Sequence, residues 1–192
     1  YMQDYFAEQS QGRLDLQVDV YPDKVGIPEG LTGEDRYRDV REAVRLIDDD
    51  YDFSDIDFIV QREYNFGGRG GGAAFLFDEP IEADGNRIYN LNMTDESSGI
   101  TETRRRYVAV HEQGHLFGLP DLYTENQWAP INPVFQRFAG DRSVMSSNLT
   151  AGFTGFERWV LGWLPDGQVS CVTQDEWGAT ATRRTVTVSS VD

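Results

Sequence analysis

The sequence is poor in cysteine and lysine, with only Cys171 and Lys24 among 192 residues. One cysteine cannot form a disulfide within the chain, so packing and bound ions have to supply the stability. No run of 18 apolar residues occurs, which argues against a membrane-spanning helix, and no signal-type segment opens the chain. We expect no membrane insertion and a secreted protein whose signal and any pro-segment have been removed; a cytosolic protein is the alternative.

Positive charge is also scarce, with 17 basic residues against 33 acidic ones and a net charge of −16. Such a surface repels phosphate backbones and anionic lipids, so nucleic-acid and anionic membrane partners are excluded. An acidic, lysine-poor surface is typical of proteins in strong brine, because salt screens its self-repulsion. We expect a halophilic source; an ordinary acidic secreted protein from a GC-rich genome is the alternative.

Both histidines lie in one short stretch, His111-Glu112-Gln113-Gly114-His115. In a helix, residues four apart share a face, so the two imidazoles can bind one metal ion. Glu112 cannot be a third ligand from that face, but it can reach a water on the metal and take its proton. The pattern therefore predicts a helical metal site with a general base.

The residues that follow predict how this helix ends and what completes the site. Gly118 can adopt positive φ and turn the chain, and Pro120 forbids further helix. The reversal would bring the carboxylate of Asp121 below the helix as a third ligand. Two nitrogens, one oxygen and an open fourth position are what a catalytic zinc ion needs.

Periodicity predicts a mixture of helices and strands. Alternating apolar residues from Leu14 to Val20 predict a half-buried strand, and apolar residues three to four apart predict a helix from Tyr37 to about Asp48. Further strands are predicted at 56–60, 73–77 and, more weakly, 87–92, and a helix from about Thr101 through the histidines. The glycines of 67–72 lack the Lys-Ser/Thr ending of a phosphate loop, so we interpret them as a surface loop.

The segment from Asp48 to Asp57 carries six carboxylates in ten residues. Closely spaced aspartates repel one another unless they are solvated, screened or bound to a hard cation. Asp50, Asp52, Asp55 and Asp57 are candidate calcium ligands, but the glycine and final glutamate of an EF-hand loop are absent. A solvated acidic turn is the favoured interpretation.

The motif His111–Tyr123, HEQGHLFGLPDLY, resembles the active-site signature of the immune inhibitor A family of secreted metallopeptidases. That family belongs to the metzincin-like zincins, and snapalysin has a related short motif ending in Asp. The resemblance extends to 4–12, to the acidic 50–57, to Ser143-Val144-Met145-Ser146-Ser147 as a Met-turn, and to 156–164 as the following helix. It implies an α+β metzincin-like domain with a mixed twisted sheet, a long active-site helix, a Met-turn and a C-terminal helix.

Carried over by position, the resemblance implies His111 and His115 as zinc ligands, Glu112 as general base and Met145 as the apolar floor. Asp121 is the third ligand by the snapalysin-like spacing, with Glu125 as a competitor. The position two residues after Met145, where several metzincins place a tyrosine that steadies the oxyanion, is Ser147. Tyr123 could take that role, although packing is the favoured one.

We therefore expect residues 1–164 to form a catalytic domain and 165–192 a β-rich extension or the stub of a further domain. The expected function is that of a secreted, monomeric zinc endopeptidase acting on protein or peptide substrates. The alternatives are a catalytically inactive zincin-fold binding module and a metal hydrolase acting on other substrates. Glu112 favours an enzyme, because a binding module has no chemical need for it.

Overall fold

A computed structural model describes residues 1–26, 36–63, 71–123, 142–146, 152–165 and 167–169. Within these ranges the chain has an α+β fold with four α-helices and a three-stranded sheet. The helices are α1 (Met2–Gln9), α2 (Arg36–Ile47), α3 (Glu102–Leu116) and α4 (Gly155–Val160), and the strands are β1 (Phe58–Glu63), β2 (Gly72–Ala83) and β3 (Asn86–Asp95). A 3₁₀ turn, Val144–Ser146, lies between α3 and α4.

The sheet is mixed, as predicted, with the strand order β1-β3-β2. The central strand β3 runs parallel to β1 and antiparallel to β2. β2 is longer than the predicted 73–77, because its pairing with β3 resumes beyond an irregularity between Leu76 and Ile81 and continues to the hairpin turn. The long pairing places one end of β2 beside α3 and the other end at the acidic segment.

The β2–β3 hairpin turns at Asp84 and Gly85, whose φ values are 49° and 77°. Asp-Gly is favoured in two-residue hairpin turns, since both central residues need positive φ. The Asp84 carboxylate accepts a hydrogen bond from the backbone amide of Phe53 at 2.8 Å. The side-chain amide of Asn86 donates to the carbonyl oxygens of Phe53 and Ile56 at 2.8 and 2.7 Å. The hairpin thus fixes the backbone of the acidic segment through hydrogen bonds of the protein itself.

The strand predicted from Leu14 to Val20 is wrong. This segment is irregular, and Val20 is 73% exposed while Leu16 is buried. The amide of Leu14 donates to Ser10 Oγ at 3.0 Å, so the segment starts from a turn that follows α1. Alternation describes which side chains are covered, but a strand also needs a neighbouring backbone to pair with. Here Leu16 is part of the core around α3, and Leu14 and Val18 pack against that core.

Two clusters of buried side chains form the core. One lies between α2 and the sheet and includes Val40, Val44, Ile81, Ile88, Leu91 and Met93. The other surrounds α3 and includes Phe6, Leu16, Tyr107, Val110, Met145, Phe153 and Trp163. The helix predicted from Tyr37 to about Asp48 is confirmed as α2.

α4 is shorter than the predicted 156–164, because Gly162 adopts a φ of 70° and the amide of Trp163 donates back to the Arg158 carbonyl at 2.7 Å. This reversal turns Trp163 into the core. Of the predicted extension 165–192, the structure describes only residues 165 and 167–169. Among the helices it describes, none has both the length and the apolar character to cross a membrane.

Candidate metal centre

Helix α3 carries both histidines. Thr101 caps its N-terminus, because the hydroxyl oxygen accepts a hydrogen bond from the Arg104 amide at 3.2 Å, and the helix packs against β2 and β3. Residues 110 to 114 are all buried, so the centre of the helix lies beneath the surface. The helical spacing places the imidazoles of His111 and His115 side by side, with ring centroids 4.8 Å apart.

The turn after α3 ends the helix and also orients His115. Gly118 has a φ of 92°, and its amide donates to the His115 carbonyl at 2.8 Å. The Leu119 amide donates to the Gly114 carbonyl at 3.0 Å, which completes the glycine-terminated helix end predicted from the sequence. The Leu119 carbonyl then lies 2.7 Å from Nδ1 of His115. A carbonyl can only accept, so Nδ1 carries a proton and, in the neutral imidazole, Nε2 presents a lone pair.

His111 is oriented by a distant part of the chain. Its Nδ1 lies 3.0 Å from the carbonyl oxygen of Val144 in the 3₁₀ turn, so this nitrogen also donates and Nε2 keeps its lone pair. Burial lowers the pKa of His111, which favours the neutral imidazole that metal ions bind. A backbone carbonyl that fixes the tautomer of a histidine is a common partner of metal-ligating imidazoles.

Three lone-pair atoms therefore converge on one point. The Nε2 atoms of His111 and His115 are 3.2 Å apart, and Asp121 Oδ1 lies 3.1 and 3.3 Å from them. In a tetrahedral zinc site with bonds of about 2.0 to 2.1 Å, the ligand atoms lie about 3.3 Å apart. Asp121 Oδ1 is buried and accepts no hydrogen bond from the described residues. These three ligand atoms fit a zinc ion, and a cation would relieve their mutual repulsion.

Glu112 lies on the side of α3 that faces β2 and is only 7% exposed. Burial and the nearby charge of Asp121 raise its pKa to about 8, against a hydrogen bond from the Ala74 amide and the charge of Arg104. A divalent cation bound beside it would act in the opposite direction and favour the carboxylate. A buried carboxylate next to a metal site can take up and release a proton near neutral pH.

Gly72 allows β2 to approach this glutamate. A β-carbon at residue 72 would come closest to Val108 Cγ1 on α3, and it would stand 2.8 Å from Glu112 Cγ on the same helix and 2.6 Å from the Met93 carbonyl oxygen. The interpretation of 67–72 as a surface loop is therefore wrong at its end, because Gly72 is the first residue of β2. Residues 64–70 lie outside the described residues. The closeness of strand and helix had no signal in the sequence beyond the glycine itself.

Met145 is fully buried beneath α3. A β-carbon on Gly114 would come within 2.6 Å of its sulfur, so the helix rests directly on this side chain one residue before His115. The Met145 carbonyl accepts from the Leu122 amide at 2.8 Å, and Ser146 Oγ donates to the Leu122 carbonyl at 3.2 Å. The 3₁₀ turn therefore also holds the segment that carries Asp121.

Tyr123 packs on the site and bonds to it. Its ring is roughly parallel to that of His111, at 29° and with centroids 5.9 Å apart, and its hydroxyl is hydrogen-bonded to Asp121. Burial and the charge of Asp121 raise the pKa of Tyr123, so the phenol stays protonated and donates. The expected packing role and this contact with Asp121 coexist. Glu125, the competing third ligand, lies outside the described residues, as does Ser147.

The four aspartates considered for calcium do not gather in the same way. Asp50, Asp52, Asp55 and Asp57 are all exposed. Among the described residues, the only His, Cys, Asp or Glu trio with ligand atoms within 4.8 Å of one another is His111, His115 and Asp121. Hydrogen bonds from the amide and side chain of Ser54 lower the pKa of Asp52, as in a solvated turn. A solvated acidic turn remains the favoured prediction for this segment, with calcium binding as the alternative.

Comparison of the chain with protein-family models, with curated proteins and with solved structures found no match. The geometry of the centre is therefore the basis for assigning a function.

Proposed function

We propose that the chain is a zinc-dependent endopeptidase with a metzincin-like fold of the immune inhibitor A kind. The observation that carries the proposal is the convergence of the His111, His115 and Asp121 lone pairs, with Glu112 on the same helix. Three protein ligands and a free fourth position are characteristic of catalytic zinc, whereas structural zinc sites have four protein ligands. Secretion and a monomeric state belong to the same proposal.

The residues of the chain have separate tasks in this reaction. His111, His115 and Asp121 would hold the zinc ion, which when bound supplies a Lewis acid for the scissile carbonyl and makes water more acidic. Glu112 takes the proton of the attacking water and passes it to the leaving amine. Its burial against β2 keeps the carboxylate close to the site and poorly solvated, so the proton is not lost to bulk water.

A peptide substrate is favoured by the strand that borders the site. β2 is an outer strand of the described sheet, and it is the strand whose Ala74 amide contacts Glu112. An extended peptide can add to a free strand edge through backbone hydrogen bonds, which hold the chain straight for cleavage without demanding a particular sequence. The acidic surface, with its net charge of −16, would favour substrates that are neutral or basic.

The test is hydrolysis of an unfolded protein such as casein, with and without a zinc chelator and in low and high salt. Glu112→Gln is the matched variant, since it keeps the shape of the side chain and the three metal donors. We expect cleavage that the chelator stops, that zinc restores and that the variant lacks. A folded protein that holds zinc but cleaves nothing in either salt regime would instead indicate the non-catalytic zincin-fold module.

A further inference from the structure

A second carboxylate, distant in sequence from the histidines, is buried at the start of α4. Glu157 is only 3% exposed. One of its oxygens, Oε2, accepts a hydrogen bond from the Thr154 amide at 2.5 Å, and its own amide donates to Thr154 Oγ1 at 3.3 Å. This is a capping box, which the Thr-x-x-Glu spacing could have revealed in the sequence.

The other oxygen of Glu157 makes a contact that a capping box does not need. Oε1 accepts from Ser143 Oγ at 2.6 Å, and the same hydroxyl oxygen accepts from the Met145 amide at 2.9 Å. Ser143 is fully buried. The carboxylate thus reaches across to the 3₁₀ turn and fixes a hydroxyl that in turn fixes the backbone of that turn.

Val144 lies between Ser143 and Met145 in the 3₁₀ turn, and its carbonyl oxygen orients His111. The Val144 amide donates to the Gly152 carbonyl at 3.0 Å, so the peptide groups on both sides of this residue are held. Only a narrow range of carbonyl directions remains when both neighbouring amides are fixed. The position of Nδ1 of His111, 3.0 Å away, depends on that direction.

Burying a carboxylate is costly unless hydrogen bonds compensate it. Within the described part of the chain, Glu157 forms no ion pair, and donors from Thr154 and Ser143 satisfy it instead. A cap on an exposed helix end would leave the same carboxylate in water at lower cost. The burial of the Glu157 carboxylate is explained if its second oxygen, Oε1, is needed to hold the 3₁₀ turn through Ser143.

We propose that Glu157 is a positioning residue of the metal centre. Through Ser143 it holds the Val144 carbonyl in the direction that turns Nε2 of His111 towards the metal. The inference rests on the proposed function only in that the three donors bind a metal ion; it does not require that peptides are cleaved.

The experiment measures metal binding by Ser143→Ala and Glu157→Gln proteins, with Zn²⁺ for affinity and Co²⁺ for its visible absorption spectrum. Loss of an indirect partner of a metal ligand typically lowers affinity by about ten- to a hundredfold. We expect about tenfold weaker zinc binding in each variant, and Co²⁺ bands shifted in position and intensity, because the spectrum reports the geometry of the ligands.

The matched control is Thr154→Ala, which removes the other half of the capping box. It weakens the same helix end but leaves the contact between Ser143 and Glu157 in place. We expect its metal-free melting temperature to fall as in the other two variants, with zinc affinity and the Co²⁺ spectrum unchanged. If Ser143 and Glu157 act through one hydrogen bond, the double variant should bind zinc as weakly as the weaker single variant.

Wild-type affinity and spectrum in folded Ser143→Ala and Glu157→Gln proteins would overturn the inference, as would an equal loss in Thr154→Ala. A wild-type protein that binds neither Zn²⁺ nor Co²⁺ would overturn it together with the proposed function. A wild-type protein that binds zinc without cleaving casein would refute the peptidase alone, and the Co²⁺ spectra would still decide the role of Glu157.

Discussion

Nε2 of His111 lies 3.2 Å from Nε2 of His115, and in the neutral imidazoles neither nitrogen carries the proton that would make this contact a hydrogen bond. Both protons are on Nδ1, where the Val144 and Leu119 carbonyl oxygens accept them. Two lone pairs at this distance repel each other, and Asp121 Oδ1 adds a negative charge. A cation bound between these three atoms would relieve this repulsion.

This relationship predicts that zinc stabilises the fold. A ligand at a hundred times its Kd adds about 2.7 kcal/mol to the free energy of unfolding. We expect zinc to raise the melting temperature of the chelator-treated protein, measured by circular dichroism. His115→Ala is the control, because it removes one of the three metal ligands and should abolish the zinc effect. The side chain is partly exposed, so its loss should disturb the fold little. An equal shift in both proteins would place the zinc elsewhere.

The hydroxyl of Tyr123 should matter to the metal through Asp121. Tyr123→Phe keeps the ring against His111 and removes only the hydrogen bond to the carboxylate. We expect zinc binding about tenfold weaker, at the lower end of the range for lost partners of metal ligands.

Competition with a chromophoric chelator measures this affinity. Tyr89→Phe, on β3 beside Arg87, serves as the control and should bind zinc as the wild type does. Unchanged affinity in Tyr123→Phe would leave this tyrosine with a packing role only.

Gly72 offers a test of the close approach between β2 and α3. Gly72→Ala adds a methyl group that comes closest to Val108 Cγ1 and lies 2.6 Å from the Met93 carbonyl oxygen and 2.8 Å from Glu112 Cγ. Overpacking of this kind costs about 1 to 3 kcal/mol, and here it would also displace the proposed general base. We expect a lower free energy of unfolding in urea and reduced casein hydrolysis.

Gly71→Ala is the neighbouring control, since a β-carbon there meets no atom of the described residues within 4 Å. It should retain wild-type stability and activity. Equal losses in the two variants would mean that backbone flexibility at 71–72, rather than the close approach of β2 to α3, is what the glycines provide.

The exposed aspartates at 50, 52, 55 and 57 lead us to expect little effect of calcium. The hairpin already holds this segment through Asp84 and Asn86. Millimolar Ca²⁺ added to zinc-loaded protein should leave the melting temperature unchanged beyond the effect of matched Mg²⁺. A calcium-specific increase that is lost in Asp52→Asn/Asp55→Asn protein would instead support the calcium site considered from the sequence.

The sequence predicted those parts of the site that depend on near neighbours. The face shared by His111 and His115 follows from helical geometry, and the reversal at Gly118 follows from the freedom of glycine at positive φ. Each of these contacts spans four or five residues, so the local residue pattern determines it. The strand predicted at 14–20 failed because alternation carries no information about a partner strand.

The tertiary structure decided how the donors are aimed and how the base is buried. The tautomer of His111 depends on Val144, which is 33 residues away, and the environment of Glu112 depends on how closely β2 approaches at Gly72. Glu157 became relevant only because α4 packs its first turn against the 3₁₀ turn. Such contacts join segments far apart in the chain, and their geometry is set by packing the whole core. The sequence by itself therefore determined which atoms could bind a metal ion, while the packing of α3, β2 and the 3₁₀ turn decided where those atoms point.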